Sequence, residues 1–397
     1  SYVGFTTDHA VEMASDVYLG DYGTITVENK AIKTGSNTST PGPIGSMQDQ
    51  IHFGGILDVG NSFSLDIDNI STDSCQGFGG DLVGGIANQA KIMNNSLIGS
   101  DASFSIRNQA NYSGSNSTNS VNIGWVQNDQ LSNGASLTAG DRLSVIIENS
   151  GTSSGSGEGN NVGSVFGTQW GLPFGCTIGN GAAIQISNKG NYTGSNSAIG
   201  NTIGWIGTSQ FSCSQLFSAG DNFSLTLSND GTANTAGIDN QVGYIGGAQW
   251  DLSRGCTLGS GALIQISNRG TLSGSATENN TGVINETQVL VGDVFNAKSA
   301  SFVVSNQGTY QGTNSGAPNF VDVVESHQTS FLGSLISPDG FGLEIHNTGV
   351  STTEGIGNNV GLILGNQWNL PNNGCSLGDH VAIKISNSGS HTGSGFS

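Results

Sequence analysis

Asp21, Asp141, Asp221 and Asp379 recur at one point of a repeating pattern, each beside a glycine, as in GDYG, AGDR and AGDN. A column of carboxylates is calcium chemistry, because hard cations take oxygen ligands. Gly181 and Gly261 stand where two further members belong, and no GGxGxD repeat is present. The alternative is turn chemistry, which Gly-Asp and Gly-Asn pairs serve, and it is the expectation adopted here. The six histidines form no HExxH pair, and the five cysteines lack CxxC spacing. The 29 acidic residues give no recurring close carboxylate pair of the kind glycoside hydrolysis needs. No enzymatic role, cofactor or metal is therefore expected.

Composition narrows the partners. Net charge is −19 with only ten Lys and Arg. Nucleic acid, whose binding needs cations to displace counterions, is not expected. Membrane insertion is not expected either, since no apolar run reaches the length of a spanning helix. The chain begins on Ser1 with no leader pattern, so export after signal removal, to the cell surface or beyond it, is the expectation.

The residues that recur most regularly are amides. Asn29, Asn69, Asn108, Asn149, Asn188, Asn229, Asn268, Asn306, Asn347 and Asn387 form one near-periodic series. Between them, in the same rhythm, run Gln50, Gln89, Gln130, Gln169, Gln210, Gln249, Gln288, Gln328 and Gln367. Each Asn closes a segment that alternates apolar and polar residues, such as NFSLTLSN, and period two is the strand signature. Two positions after the Asn stands Gly151, Gly190, Gly231, Gly270, Gly308, Gly349 or Gly389, which predicts a positive-φ turn there. Each Gln lies near the end of a second motif, for example VGYIGGAQW.

Short strands at fixed spacing with turn residues and no helical period predict an all-β chain. Ten repeats exceed the usual blade number of a propeller. The prediction is a single parallel β-solenoid (β-helix) over 1–397, with about ten 40-residue repeats and Asn and Gln ladders. It divides into an N-terminal half-repeat 1–22, nine repeats 23–380 and a C-terminal half-repeat 381–397. Stacked amides hydrogen-bond from layer to layer in such folds. Each marker recurs once per repeat, so one large coil per repeat is expected; two coils of ~20 residues is the alternative. With one coil per repeat, Cys213 falls beside Cys176 or Cys256, within reach of a disulfide with either. Trp170, Phe211, Trp250 and Trp368 follow their Gln directly, and packing is expected of them before glycan stacking.

The two ends match in register. The interval from Asn149 to the second-motif Val162 equals the interval from Asn387 to Val3 of a copy following directly. His9 falls near the Gln position of this first half-repeat. Head-to-tail polymerisation is the expectation, with Val3, Phe5, His9, Val381, Ile383, Ile385 and Asn387 at the interface and the chain itself as partner. A monomeric adhesin with a glycan or surface ligand, or a segment of a longer repeat array, is the alternative. The Asn and Gln columns with their NxG segments resemble secreted bacterial β-solenoid fibre and surface proteins. Curli-type subunits, filamentous-haemagglutinin-like proteins and autotransporter passengers are examples. The resemblance implies an extracellular structural or adhesive role. The 40-residue period, the Trp residues and the cysteines depart from curli, and no C-terminal barrel pattern is present.

Overall fold

The computed structural model describes residues 6–37, 43–74, 76–77, 82–114, 121–155, 159–194, 200–314, 319–355, 358–370 and 373–393. The chain winds as a parallel β-solenoid with one coil of about 40 residues per repeat. Successive coils add one strand each to three ten-stranded sheets and to an eight-stranded fourth. Eight coils thus carry a strand in all four. In one central coil the short sheet holds Asn161–Val162 and the Gln-side sheet Trp170–Leu172. The corner sheet holds Cys176–Ile178 and the long-strand sheet Ala183–Tyr192. The pairings are parallel and in register, so Asn149 meets Asn188 and Asn188 meets Asn229. Ten layers at the ordinary strand spacing make a stack about 48 Å tall.

Alternation sets which side chains face inward. In Ser224–Asn234, Leu225, Leu227 and Asn229 are buried and the residues between them face out. The interior separates into two lobes. The larger lies between the Gln-side sheet, the corner sheet and the first half of each long strand. The smaller lies between the second half of the long strand and the short sheet, and holds Val162, Tyr192 and Ile203.

A waist joins the lobes, and here the glycines correct the sequence reading. Gly151, Gly190, Gly231 and their counterparts are not positive-φ turns; they sit inside long strands. A Cβ on Gly190 would lie 2.2 Å from the backbone nitrogen of Gly204 and 2.3 Å from the carbonyl oxygen of Val162. These positions need glycine because two backbones nearly touch. Positive φ belongs instead to the second-motif glycines, such as Gly163 (φ 60°) and Gly204 (φ 59°), where the chain folds back toward the long strand.

At the corner, the residue after each Asp takes the left-handed conformation, as at Arg142 and Asn222. The Asp side chains bind upward: Asn61 N–H donates to Asp21 Oδ1, Asn180 N–H to Asp141 Oδ1, and Ser260 N–H to Asp221 Oδ1, each at 2.7 Å. At the height of the aspartates the structure places Asn180 and Ser260 rather than Gly181 and Gly261, and Asn180 continues the column, accepting from Asp221 N–H at 2.8 Å. The aspartates thus serve the corners as acceptors for the next coil's backbone. Among the described residues no group of three His, Cys, Asp or Glu surrounds a metal position.

Candidate functional site: the ladders of the waist and the trough outside it

The expected amide columns are hydrogen-bonded ladders. Asn69 Nδ2 donates to Asn108 Oδ1 at 2.8 Å, and the chain of bonds continues through Asn149, Asn188, Asn229 and Asn268 to Asn306. Asn29 enters it from below at 2.7 Å. Gln130 through Gln367 each donate to the Gln one coil below, at 2.8 to 3.3 Å. Gln50 and Gln89 bond across the waist instead, to the carbonyls of Asp68 and Arg107.

That cross-waist bond recurs upward, for example from Gln210 Nε2 to Ser228 O at 2.7 Å. It ties the Gln-side sheet to the following long strand, just before the ladder Asn. Gln130, Gln169, Gln210, Gln249 and Gln288 therefore brace their coils both vertically and across. Replacing Gln210 by Leu leaves Gln169 Oε1 and Ser228 O buried without this donor. The expected loss is about 3 kcal/mol, read as a lower urea midpoint with an unchanged slope.

A third ladder is one that the sequence reading missed. Asn160, Asn201, Asn240, Asn279, Asn319 and Asn358 stand two positions before the short-sheet Val, Ile or Thr of the second motif. Asn201 donates through both its backbone N–H (3.2 Å) and Nδ2 (2.8 Å) to Asn240 Oδ1, and the pattern repeats in neighbouring coils. The flanking residues vary, which hides it; its regular spacing is the signal that could have found it.

The Asn ladder is diverted at one place. Asn306 Nδ2 donates to Asp322 Oδ1 at 2.5 Å and to Gly282 O at 2.8 Å. Asn347 pairs with Gln328 in both directions at 2.7 Å. Asp322 occupies the column of Gly204, Gly243 and Gly282, and keeps that column's positive φ, at 54°. It is fully buried, and its Oδ2 has no hydrogen-bond partner. Burial pushes its carboxyl up to about 8, against the lowering effect of the Asn306 bond.

The aromatic residues after Gln point inward. Trp170, Phe211 and Trp250 are buried, and Trp170 and Phe211 pack with ring centroids 5.1 Å apart. A different, staggered aromatic stack reaches the surface beside the short sheet: Trp125, Phe166 and Trp205, with centroids 5.6 and 4.5 Å apart.

The structure carries Cys176, Cys213 and Cys256 as buried free thiols, so neither expected Cys213 bridge is formed. Cys176 and Cys256 lie on the corner sheet, separated by Phe217 in the intervening coil. Cys213 lies on the Gln-side sheet, between Leu172 and Leu252. Burial holds the Cys176 and Cys256 thiols well above their ordinary range and pushes Cys213 up to about 11. Thiolate is the reactive form. In the native protein a maleimide should therefore label exposed Cys375 and leave these three unmodified until denaturant is added, as peptide mass mapping will show.

Of the expected interface residues, Val3 and Phe5 lie outside the described residues. His9 pairs with Asp49 rather than with Gln50, so it stands one position before the Gln column. In the last described coil Val381, Ile383 and Ile385 are 41, 44 and 42% exposed, whereas Phe341, Leu343 and Ile345 directly below are at most 1% exposed. Asn387 bonds Gly361 O at 3.1 Å.

Outside the waist the long-strand sheet carries a trough of about 510 Å³. Its inner column is Ser187, Ser228, Ser267 and Ser305, the residues just before four ladder Asn. Its second column, just after those Asn, is Lys189, Asp230, Arg269 and Gln307. Below, the same Ser column is occupied first by Glu148 and then by Arg107, which reaches Glu148 and Asp68 at 3.5 Å. Above, it is closed by His346, bonded to Ser386 at 2.7 Å and to Glu344 at 3.2 Å. No family model, curated protein or solved structure matches this chain.

Proposed function

We propose that the chain is a non-enzymatic structural subunit of an extracellular filament, stacking head to tail on copies of itself by strand addition at its outer coils. The observation that carries this reading is the repetition of one coil-to-coil contact. Coil after coil offers the next an in-register backbone edge and apolar columns, and through most of the stack the same amide donors and acceptors. A contact generated by translation and a small rotation does not close on itself, so it propagates. Val381, Ile383 and Ile385 continue the core columns of Phe341, Leu343 and Ile345 and are partly exposed, so another coil placed on them would bury them likewise. The resemblance to secreted bacterial fibre and surface proteins points the same way.

The test is to spoil that surface. Ile385→Asp places a charge where the next coil would sit, and a charged extension after Ser397 obstructs the same end. Both variants should remain β-rich and sediment as single rods, while the unaltered chain forms long polymers. Unchanged polymers from both variants contradict the proposal.

A further inference from the structure

We propose that the trough over coils Ser187 to Gln307 is a binding site for an extended acidic oligosaccharide. The bay lies along the side of the rod, so this inference stands whether or not chains stack end to end.

The first reason is that the bay is bounded and unfilled. Below it the inner column carries the Arg107 side chain and its carboxylate partners, and above it the His346 ring. For four consecutive coils between them the same column holds only serine. Across the waist, by contrast, Trp125, Phe166 and Trp205 cover the outer surface, with the Trp205 ring lying against Gly207. The trough's volume lies in the range of ordinary ligand sites. It spans four layers, about 14 Å from first to last, which suits a chain rather than a compact molecule.

The second reason is charge. The protein carries −19 overall, yet here Lys189 and Arg269 flank a single Asp230, and Glu148 at the lower rim is paired with Arg107. The two cations stand two layers apart, about 9.6 Å. They set fixed positions for acidic groups on a ligand running up the stack, and Arg takes a carboxylate or sulfate through paired bonds.

The third reason separates a glycan from a peptide. A peptide bound by strand addition needs a free sheet edge, and one bound by side chains needs apolar pockets. The bay has neither: its strands are paired with the coils above and below, and its columns are Ser, Lys, Asp, Arg and Gln. Hydroxyls, an amide and a carboxylate at regular intervals match the donors and acceptors of sugar hydroxyls.

The experiment is isothermal titration calorimetry of the full chain with short hexuronic-acid oligomers, and with carboxyl-reduced oligomers of the same linkage. The acidic series should bind, the reduced series at least tenfold more weakly, and the affinity should fall with added salt. K189Q/R269Q should lose tenfold or more. Ser267→Tyr, which fills the bay from outside the core, should abolish binding. K384Q, on the same sheet face beyond the bay, should bind like the parent. Absence of binding, equal binding of the reduced oligomers, or a K189Q/R269Q protein that binds like the parent overturns the proposal. Tighter binding of an oligo-glutamate peptide overturns the glycan assignment in favour of an acidic peptide.

Discussion

Replacing Asp322 by Gly should stabilise the protein and remove much of its pH dependence between pH 6 and 8. The physical reason is a buried carboxyl at a site where neighbouring coils use glycine. Asp322 is fully buried, one of its oxygens lacks a partner, and its carboxyl is pushed up to about 8. An unfolded Asp titrates near 3.9. Between these values the native state holds a proton that the unfolded state has released. Stability therefore falls as pH rises through this window, by about 1.4 kcal/mol per pH unit, and levels off above the folded value. From pH 6 to pH 8 the native protein should lose on the order of 2 to 3 kcal/mol from this group alone. The Gly variant should lack that loss and restore a direct Asn306 to Asn347 step. Urea midpoints of the two proteins at pH 6 and pH 8 test this; parallel shifts in both contradict it.

The second large effect is expected at the waist. In Gly231→Ala the added Cβ would sit 2.2 Å from the Gly243 nitrogen and 2.4 Å from the Ile203 carbonyl oxygen. Both are backbone atoms of braced strands, so neither can swing aside as a long side chain would. The lobes must part, and the amide ladders at that level must stretch. A loss of about 3 kcal/mol or more is expected. Gly20→Ala at the exposed corner makes a useful contrast, because nothing lies within 4 Å of its added Cβ. It should cost less. Comparable losses from the two substitutions, measured as urea midpoints, would mean that the waist is not the rigid part of the coil.

The amide columns are legible in the sequence because a ladder needs the same side chain at the same height in every coil. The constraint that builds the fold therefore writes itself as repetition. Coil size follows from the same fact, since a marker used once per repeat marks one turn. The third Asn ladder is harder to see because its neighbours are Asn, Thr, Gln and Phe by turns. The glycines after the ladder Asn mislead for a different reason. Positive φ and close backbone approach both demand glycine, and only the partner strand, which for Gly190 arrives at Gly204, distinguishes them. The cysteines mislead because sequence spacing gives height in the stack but not which sheet a residue belongs to. The trough is not legible at all. It depends on four successive coils carrying serine between the bulkier Glu148 and His346 of one column, and singly those serines look like any polar outward positions.

On the proposed function, one coil-to-coil contact repeats within the chain and between chains. Cryo-electron microscopy of the purified 397-residue protein, without crosslinker, tests it most directly. Continuous filaments with an axial rise of about 48 Å per subunit are the predicted result, with the amide ladders running unbroken through the junctions. Single short rods at every concentration would contradict it, and would make this stack a segment or a free-standing adhesin rather than a self-assembling shaft.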